Sequence, residues 1–562
     1  MKKLFFSGLC MILCSTIFST ETGTAGVLES MELEMERSYE TLSKTKPISA
    51  YFLHYEIWDE RNVSITASWG ALYRNLDKKH RYLDVDVRVG SKKLDNTHEI
   101  RGGVNYMDWI PSINEINGDD DPAALRVALW AETDRQFKKA QEKYIRIQAE
   151  RQVKVTESDT SPDFSPSTPV MHVDEAKEIR LDFGLWREKV KEFSSIFKDY
   201  PWIYSSQISL RAQQLTKYQV NTEGSKIREN RVFYRIGVYA STMADDGMEL
   251  YLSYSFFSFA PEGLPSDEEV IAQIDTIITH LDALRKAPIV EPYIGPAILV
   301  NKASGVFFHE IFGHRVEGHR QKSEFEGQTF TKKVGEKILP DFISIRDDPT
   351  IAEFNGKDIN GYYKFDDEGV PAQKVTIVES GVLKGFLKSR LPIEGFPESN
   401  GHGRRQYGRK VVSRQGVLFV TSSNEVSMNQ LREALITECK KQKKPFGLIF
   451  YDISGGFTST GRGGTQTFKV IPLFVKRIYV DGRPDEVVRG VDIVGTPLLS
   501  FAKISLTGND YEIFNGSCGA ESGMIPVSAI SPSIFVSEIE VEKKSKSQDK
   551  PPILPSPLGE VK

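Results

Sequence analysis

The chain has 562 residues, too many for a single hydrophobic core, so two or three domains are expected. Hydrophobic residues make up 40% and charged residues 27%, which is ordinary for a globular protein and speaks against a largely disordered chain. The formal net charge of −5 shows no basic excess of the kind nucleic-acid binding needs.

The N-terminus, Met1-Lys2-Lys3 followed by the apolar run Leu4 to Phe18, reads as a secretory signal over residues 1–25, with cleavage near Ala25. The run is short for a permanent bilayer span. Cys10 and Cys14 raise a lipoprotein as the alternative, but large Leu9 and Leu13 precede them where a lipid-attachment site wants a small residue. No later segment is long and apolar enough to cross a membrane, so the expectation is an exported protein, periplasmic or extracellular, without an integral span.

Val27 to Lys44 reads as an amphipathic helix. Strands are expected at Tyr51 to Trp58, Val63 to Tyr73 and Tyr82 to Val89, where apolar and charged residues alternate. Asp121-Pro122 then opens a long helix, Ala123 to about Gln152. Thr156 to Pro169, rich in Ser, Thr, Asp and Pro, reads as a linker. A helix around Asp174 to Phe197 follows, then strands Ile203 to Tyr218, Arg231 to Ala240 and Glu249 to Phe259. A helix from Ser266 to Lys286 carries a capping box, Ser266 with Glu269. A helix–strands–helix order thus occurs on both sides of the linker, without matching letters.

Pro288 to Pro296 reads as a second boundary, after which the chain turns mostly to strands: Val375 to Val378, Leu383 to Leu387, Val417 to Thr421, Gly447 to Ile453, Gln466 to Ile478 and Glu486 to Val488. A helix, Glu425 to Lys441, buries Met428, Leu431, Leu435 and Cys439 on one face. Cys439 is therefore expected to be an inert core thiol. Cys518, in Asn515-Gly516-Ser517-Cys518-Gly519, reads as an exposed loop cysteine suited to ligation as a thiolate. The fold class expected is α+β: an N-terminal α/β region, residues 27–290, and a mostly-β C-terminal domain, residues 291–544. Residues 545–562, rich in Pro, Lys and Ser, read as a disordered tail.

The stretch that carries chemistry is Val306-Phe307-Phe308-His309-Glu310-Ile311-Phe312-Gly313-His314-Arg315-Val316-Glu317-Gly318-His319. Imidazoles that hold a metal, with a carboxylate placed to take a proton from water, are the parts of a zinc hydrolase. The usual spacing between the two histidines is four, but His309 and His314 are five apart. On a regular α-helix that leaves them about 140° apart. A π-type turn would bring them together, and Gly313 would ease it. A buried histidine is more often structural than a ligand, so the stretch by itself leaves both readings open.

The C-terminal half resembles the TldD/PmbA family of metalloproteases. The resemblance rests on His309 to Gly318, Lys364 to Gln373, Gly381 to Leu387, Gly401-His402-Gly403-Arg404-Arg405, Gly455 to Ser459, and Asn515 to Gly519, in family order over about Gly295 to Val541. It implies a zinc ion (Zn2+) held by His309, His314 and Cys518, with Glu310 as general base for peptide hydrolysis. It also implies an unfolded peptide or small protein as substrate, and a homo- or hetero-oligomer with a related subunit. His319, His402, Arg404 and Arg405 are candidates for binding the oxyanion or a substrate carboxylate. Gly455 and Gly456, in a glycine-rich run reaching Gly464, are candidates for seating the peptide as an added strand. An exported scaffold or partner subunit without activity is the rival reading, and a structural-zinc protein another. The first would favour loss of a ligand and the second would need a fourth.

Overall fold

The structure, a computed structural model, describes residues 24–99, 111–151, 159–463, 467–545, 552 and 554–559. Residues 1–23, most of the expected signal with Cys10 and Cys14, lie outside the described residues, as do Gly464 and most of the expected tail.

The N-terminal region runs α1 (Thr24–Leu42), β1 (Ala50–Ser68), β2 (Ala71–Ser91), α2 (Pro122–Arg151), α3 (Phe183–Ser195), β3 (Ser205–Asn221), β4 (Lys226–Met243), β5 (Glu249–Ser258) and α4 (Asp267–Lys286). The strands form one sheet in the order β2-β1-β3-β4-β5, these four pairings antiparallel, with short strands Leu94–Asp95 antiparallel on β2 and Met171–Val173 parallel on β4. The recurrence of helix, strands, helix is present as topology, and the two halves join where β1 pairs β3.

Strand side chains alternate between faces. Tyr55 and Ile57 of β1, with Tyr218 and Val220 of β3, pack under α1 and α2. Ile65, Ala67, Ile208, Leu210, Ile236 and Val238 pack under α3 and α4. These positions share one parity on each strand, so all four helices cover one face. The opposite parity carries polar groups toward the C-terminal region: Gln219 donates to Asp366 O at 3.2 Å, and Lys217 pairs with Asp367 at 2.9 Å.

The C-terminal region contributes β6 (Tyr293–Leu299), α5 (Asn301–Ile311), β7 (Ile343–Asp347), β8 (Val375–Glu379), β9 (Val417–Ser422), α6 (Met428–Lys441), β10 (Phe446–Thr458), β11 (Phe468–Tyr479), β12 (Val491–Gly495), β13 (Glu512–Ala520), β14 (Gly523–Ser531) and β15 (Ile534–Lys543). Pairings β6–β10, β10–β11, β11–β12, β12–β15 and β15–β6 close a ring. A second sheet runs β8-β7-β9-β14-β13, with β13 at its edge. α5 lies between the two: Phe307 packs edge-on against Phe468 of β11, and Ser304 Oγ lies 2.8 Å from Ser531 Oγ of β14. Every residue from Ala303 to Ile311 is buried, as expected of a helix clasped on all sides.

Several expectations are corrected. Val63 to Tyr73 is not one strand, because Trp69 and Gly70 take φ of 53° and 75° and turn a two-residue hairpin from β1 into β2. Asp174 to Leu181 is not helical; α3 begins after Asp182, which caps Leu185 N–H. The described part of the expected linker, residues 159–169, has neither helix nor strand, as a loop would, and is packed against the C-terminal region. Phe164 lies beneath Arg390 at 3.9 Å and Ser165 N–H donates to Arg390 O at 2.9 Å. Glu425 and Val426 belong to a short strand, and the helix starts after the Ser427 capping box. Of the strands beyond Val488, β12 to β15 were not anticipated.

Candidate metal centre

α5 ends at Ile311, and the chain continues into a 3₁₀ turn, Gly313–Val316. Phe312 N–H still bonds Phe308 O at 3.0 Å, then Arg315 N–H bonds Phe312 O at 2.9 Å. The tightening, not a π-type turn, answers the five-residue spacing: the helix stops, so its angular count no longer applies to His314. Gly313 serves space rather than conformation. A Cβ there would fall 1.8 Å from Gln415 Oε1, and Gln415 Nε2 donates to His309 O at 3.4 Å.

His309 and His314 lie with ring centroids 5.1 Å apart and planes at 79°. Cys518 reaches them from β13, and one ligand atom from each of the three lies within 4.8 Å of the others. Cys518 Sγ is 3.3 Å from His314 Nε2. Cys518 is on a strand and buried, not in an exposed loop. The glycines beside it give room: a Cβ on Gly519 would meet Met524 Sδ at 2.8 Å across the hairpin. Cys439 and Cys518 are both free, and Cys439 sits in the core against Leu431 and Leu435.

Burial alone would raise the Cys518 thiol, but His314 and His309 outweigh it and hold it well below its ordinary range. His314 is pushed down by burial and lifted more strongly by Cys518 and Glu317, ending well above the usual imidazole value. The donor set fits zinc: a thiolate and two imidazoles from three converging elements. Among the described residues, buried His309 Nδ1 has no hydrogen-bond partner.

Residues the sequence reading passed over hold the cluster in place. His314 Nδ1 is 3.2 Å from Glu317 Oε1, and Glu317 is fully buried. Burial would raise that carboxyl, yet His314, Arg320 and Arg414 bring it down to about 2. Arg320 Nε donates to Glu317 at 2.8 Å, while Arg414 Nη2 donates to Cys518 O at 2.9 Å and its Nε lies 3.5 Å from Glu317. Arg414 thereby ties the support of one ligand to the backbone of another. Glu317, a lone acid three residues after His314, was visible in the sequence; Arg414 gave no local signal.

Glu310 Oε2 lies 3.9 Å from His314 Nε2. Gly456 of β10 packs on it, since a Cβ there would stand 2.9 Å from Glu310 Cγ. Gly455, with φ of +153°, sits in the adjoining bulge of β10.

The other candidates are committed elsewhere. His319 Nε2 pairs with Glu521, which also holds Arg320 at 3.0 Å. Arg404 donates to Gln415 O and Pro526 O, both at 2.8 Å, and covers the Tyr363 ring. Arg405 pairs with Glu56 of β1 and so joins the two regions. His402 is enclosed between Asp347 and Asn400.

Residues 293–543 match the model of the PmbA/TldA metallopeptidase C-terminal domain. A metalloprotease of Archaeoglobus fulgidus is 31% identical over 239 residues, 42% of this chain and 51% of that protein. A protein named zinc metalloprotease TldD homolog, from Saccharolobus solfataricus, is 25% identical over 44% of this chain and 51% of its own length. The chain thus spans about half the length of these curated relatives. TldE of Thermococcus kodakarensis shares the fold, with a TM-score of 0.58 at 12% identity over 91% of this chain and 100% of that one. The domain built around α5 and β13 is thus similar to the C-terminal domain of the PmbA/TldA metallopeptidases.

Proposed function

We propose that the chain is a zinc-dependent peptidase acting on unfolded peptides or small proteins. The observation that carries this is the meeting of His309, His314 and Cys518, all buried, beside the Glu310 carboxylate. His309, His314 and Cys518 would hold zinc, which when bound supplies Lewis-acid chemistry, polarising the scissile carbonyl and acidifying water. Glu310 takes the proton from the attacking water and delivers it to the leaving amine. Glu317, held by Arg320 and Arg414, keeps His314 oriented with Nε2 toward Cys518.

β10 pairs β6 only over Leu448 to Phe450, while its Gly455-Gly456-Phe457 stretch continues beside Glu310. A substrate added as a strand there would be seated against the base. Among the described residues no helix is long and apolar enough to cross a membrane. Export follows from the N-terminal reading, and a related second subunit is the partner we favour.

The test combines metal analysis with peptide cleavage. Glu310→Ala keeps stoichiometric zinc and loses at least about a hundredfold in rate. His309→Ala and Cys518→Ala lose both metal and activity. Cleavage at the wild-type rate by zinc-loaded Glu310→Ala would refute the mechanism.

A further inference from the structure

The helix-free face of the N-terminal sheet carries two arginines in direct opposition. Arg211 of β3 and Arg235 of β4 are cross-strand partners, an arrangement that destabilises a sheet when the charges are alike. Among the described residues neither has a carboxylate partner, and Arg235 finds only Ser255 Oγ, 3.5 Å away. Burial and then Arg211 press the Arg235 guanidinium down to about 10, so the pair lacks a compensating negative charge.

Half-exposed rings lead away from this pair. Arg235 lies 5.3 Å over Phe257, its cross-strand neighbour on β5. Phe257 meets Phe233 at 5.6 Å and Phe259 at 5.2 Å, and Phe259 meets Tyr362 at 6.1 Å. Arg231, on the same face of β4, lies over Phe233 and Phe259 and donates to Asn360 O at 2.6 Å. Asn360 in turn donates to Gly516 O at 2.7 Å, two residues before Cys518. The row of rings therefore runs from the arginine pair to the strand that brings Cys518 to the cluster.

We propose that Arg211 and Arg235 bind a carboxylate of an extended peptide whose apolar side chains lie along Phe233, Phe257 and Phe259. Delivery to the cluster rests on the peptidase reading; binding does not. Opposed guanidiniums would grip one carboxylate with charge-assisted hydrogen bonds, which relieve the repulsion between them. The rings would contribute apolar area and would not discriminate charge.

The test is fluorescence anisotropy on the full chain bearing Glu310→Gln, with labelled decapeptides of matched sequence. One has an internal Asp-Glu and an amidated C-terminus, one has Asn-Gln and an amidated C-terminus, and one has Asn-Gln and a free C-terminus. One of the two carboxylate-bearing peptides is expected to bind about tenfold or more tightly than the amidated Asn-Gln peptide, which identifies the carboxylate as side-chain or terminal. The preference is expected to vanish in Arg211→Gln/Arg235→Gln and to survive in Arg74→Gln, a cation on the exposed edge strand β2. Arg211→Gln alone, at an exposed position, is expected to show most of the loss without disturbing the fold. Equal affinity for all three peptides, or a preference that survives the double variant, would overturn the proposal. So would a dimer, seen by sedimentation, that the double variant lacks, because the face would then belong to a second copy. Tight acidic binding by a wild-type chain that cleaves no peptide would sink the peptidase reading and leave this one standing. Cleavage of all three peptides with one affinity would do the reverse.

Discussion

Gly456→Ala separates the placing of Glu310 from the holding of metal. The new methyl would stand 2.7 Å from Lys469 O and 2.9 Å from Glu310 Cγ. Lys469 lies on β11, paired to Phe457 within the ladder, so its carbonyl is fixed. β10 must therefore shift away from that carbonyl at Gly456, and the Glu310 side chain must give as well. A relaxed carbon–carbon contact of about 3.5–4.0 Å requires a retreat of roughly 0.6–1 Å. Misplacement of a catalytic group on that scale costs up to about a hundredfold in rate. The methyl also overpacks the core, at about 1–3 kcal/mol. The expected outcome is a folded protein, lowered in melting temperature, with full zinc content and kcat reduced about 10- to 100-fold on a quenched fluorescent peptide. Gly463→Ala, with nothing within 4 Å of its methyl, controls for the substitution itself. Wild-type kcat in folded Gly456→Ala would show that the Glu310 position is not set by this contact or does not matter.

Glu317→Gln should weaken zinc binding about 10- to 100-fold, measured by competition with a chelator, because His314 loses its anionic partner while Arg320 and Arg414 lose theirs. Unchanged affinity would mean that the ring is oriented by packing alone. Burial lifts Asp452 to about 6, with Lys302 of α5 opposing and Glu512 of β13 adding to the rise. The native state therefore keeps a proton there that the unfolded chain, at about 3.9, releases. Stability should fall as pH rises from about 4 to 6 and stay lower above that. Asp452→Asn should flatten this slope in urea titrations and stabilise the protein by about 2 kcal/mol at pH 7.5; a slope unchanged in the variant would refute the assignment.

The sequence by itself determined what is local. His309, Glu310 and His314 share one short segment, so the chemistry of the segment was readable from residue types and order. The capping box of α4 and the alternation in β1 to β5 were readable for the same reason: each depends on neighbours a few residues apart. Cys518 came from a resemblance, since 204 residues separate it from His314 and no periodicity spans that distance. Tertiary structure decided the rest. It ended α5 where Gln415 packs on Gly313, which made the angular count for a continuous helix inapplicable. It turned a loop cysteine into a buried strand residue by pairing β13 with β14. It withdrew Arg404, Arg405 and His402 into structural bonds and supplied Glu317 and Arg414 instead. Which cation meets which carboxylate is set by how two sheets close around one helix, and that closure is a property of long-range strand pairing.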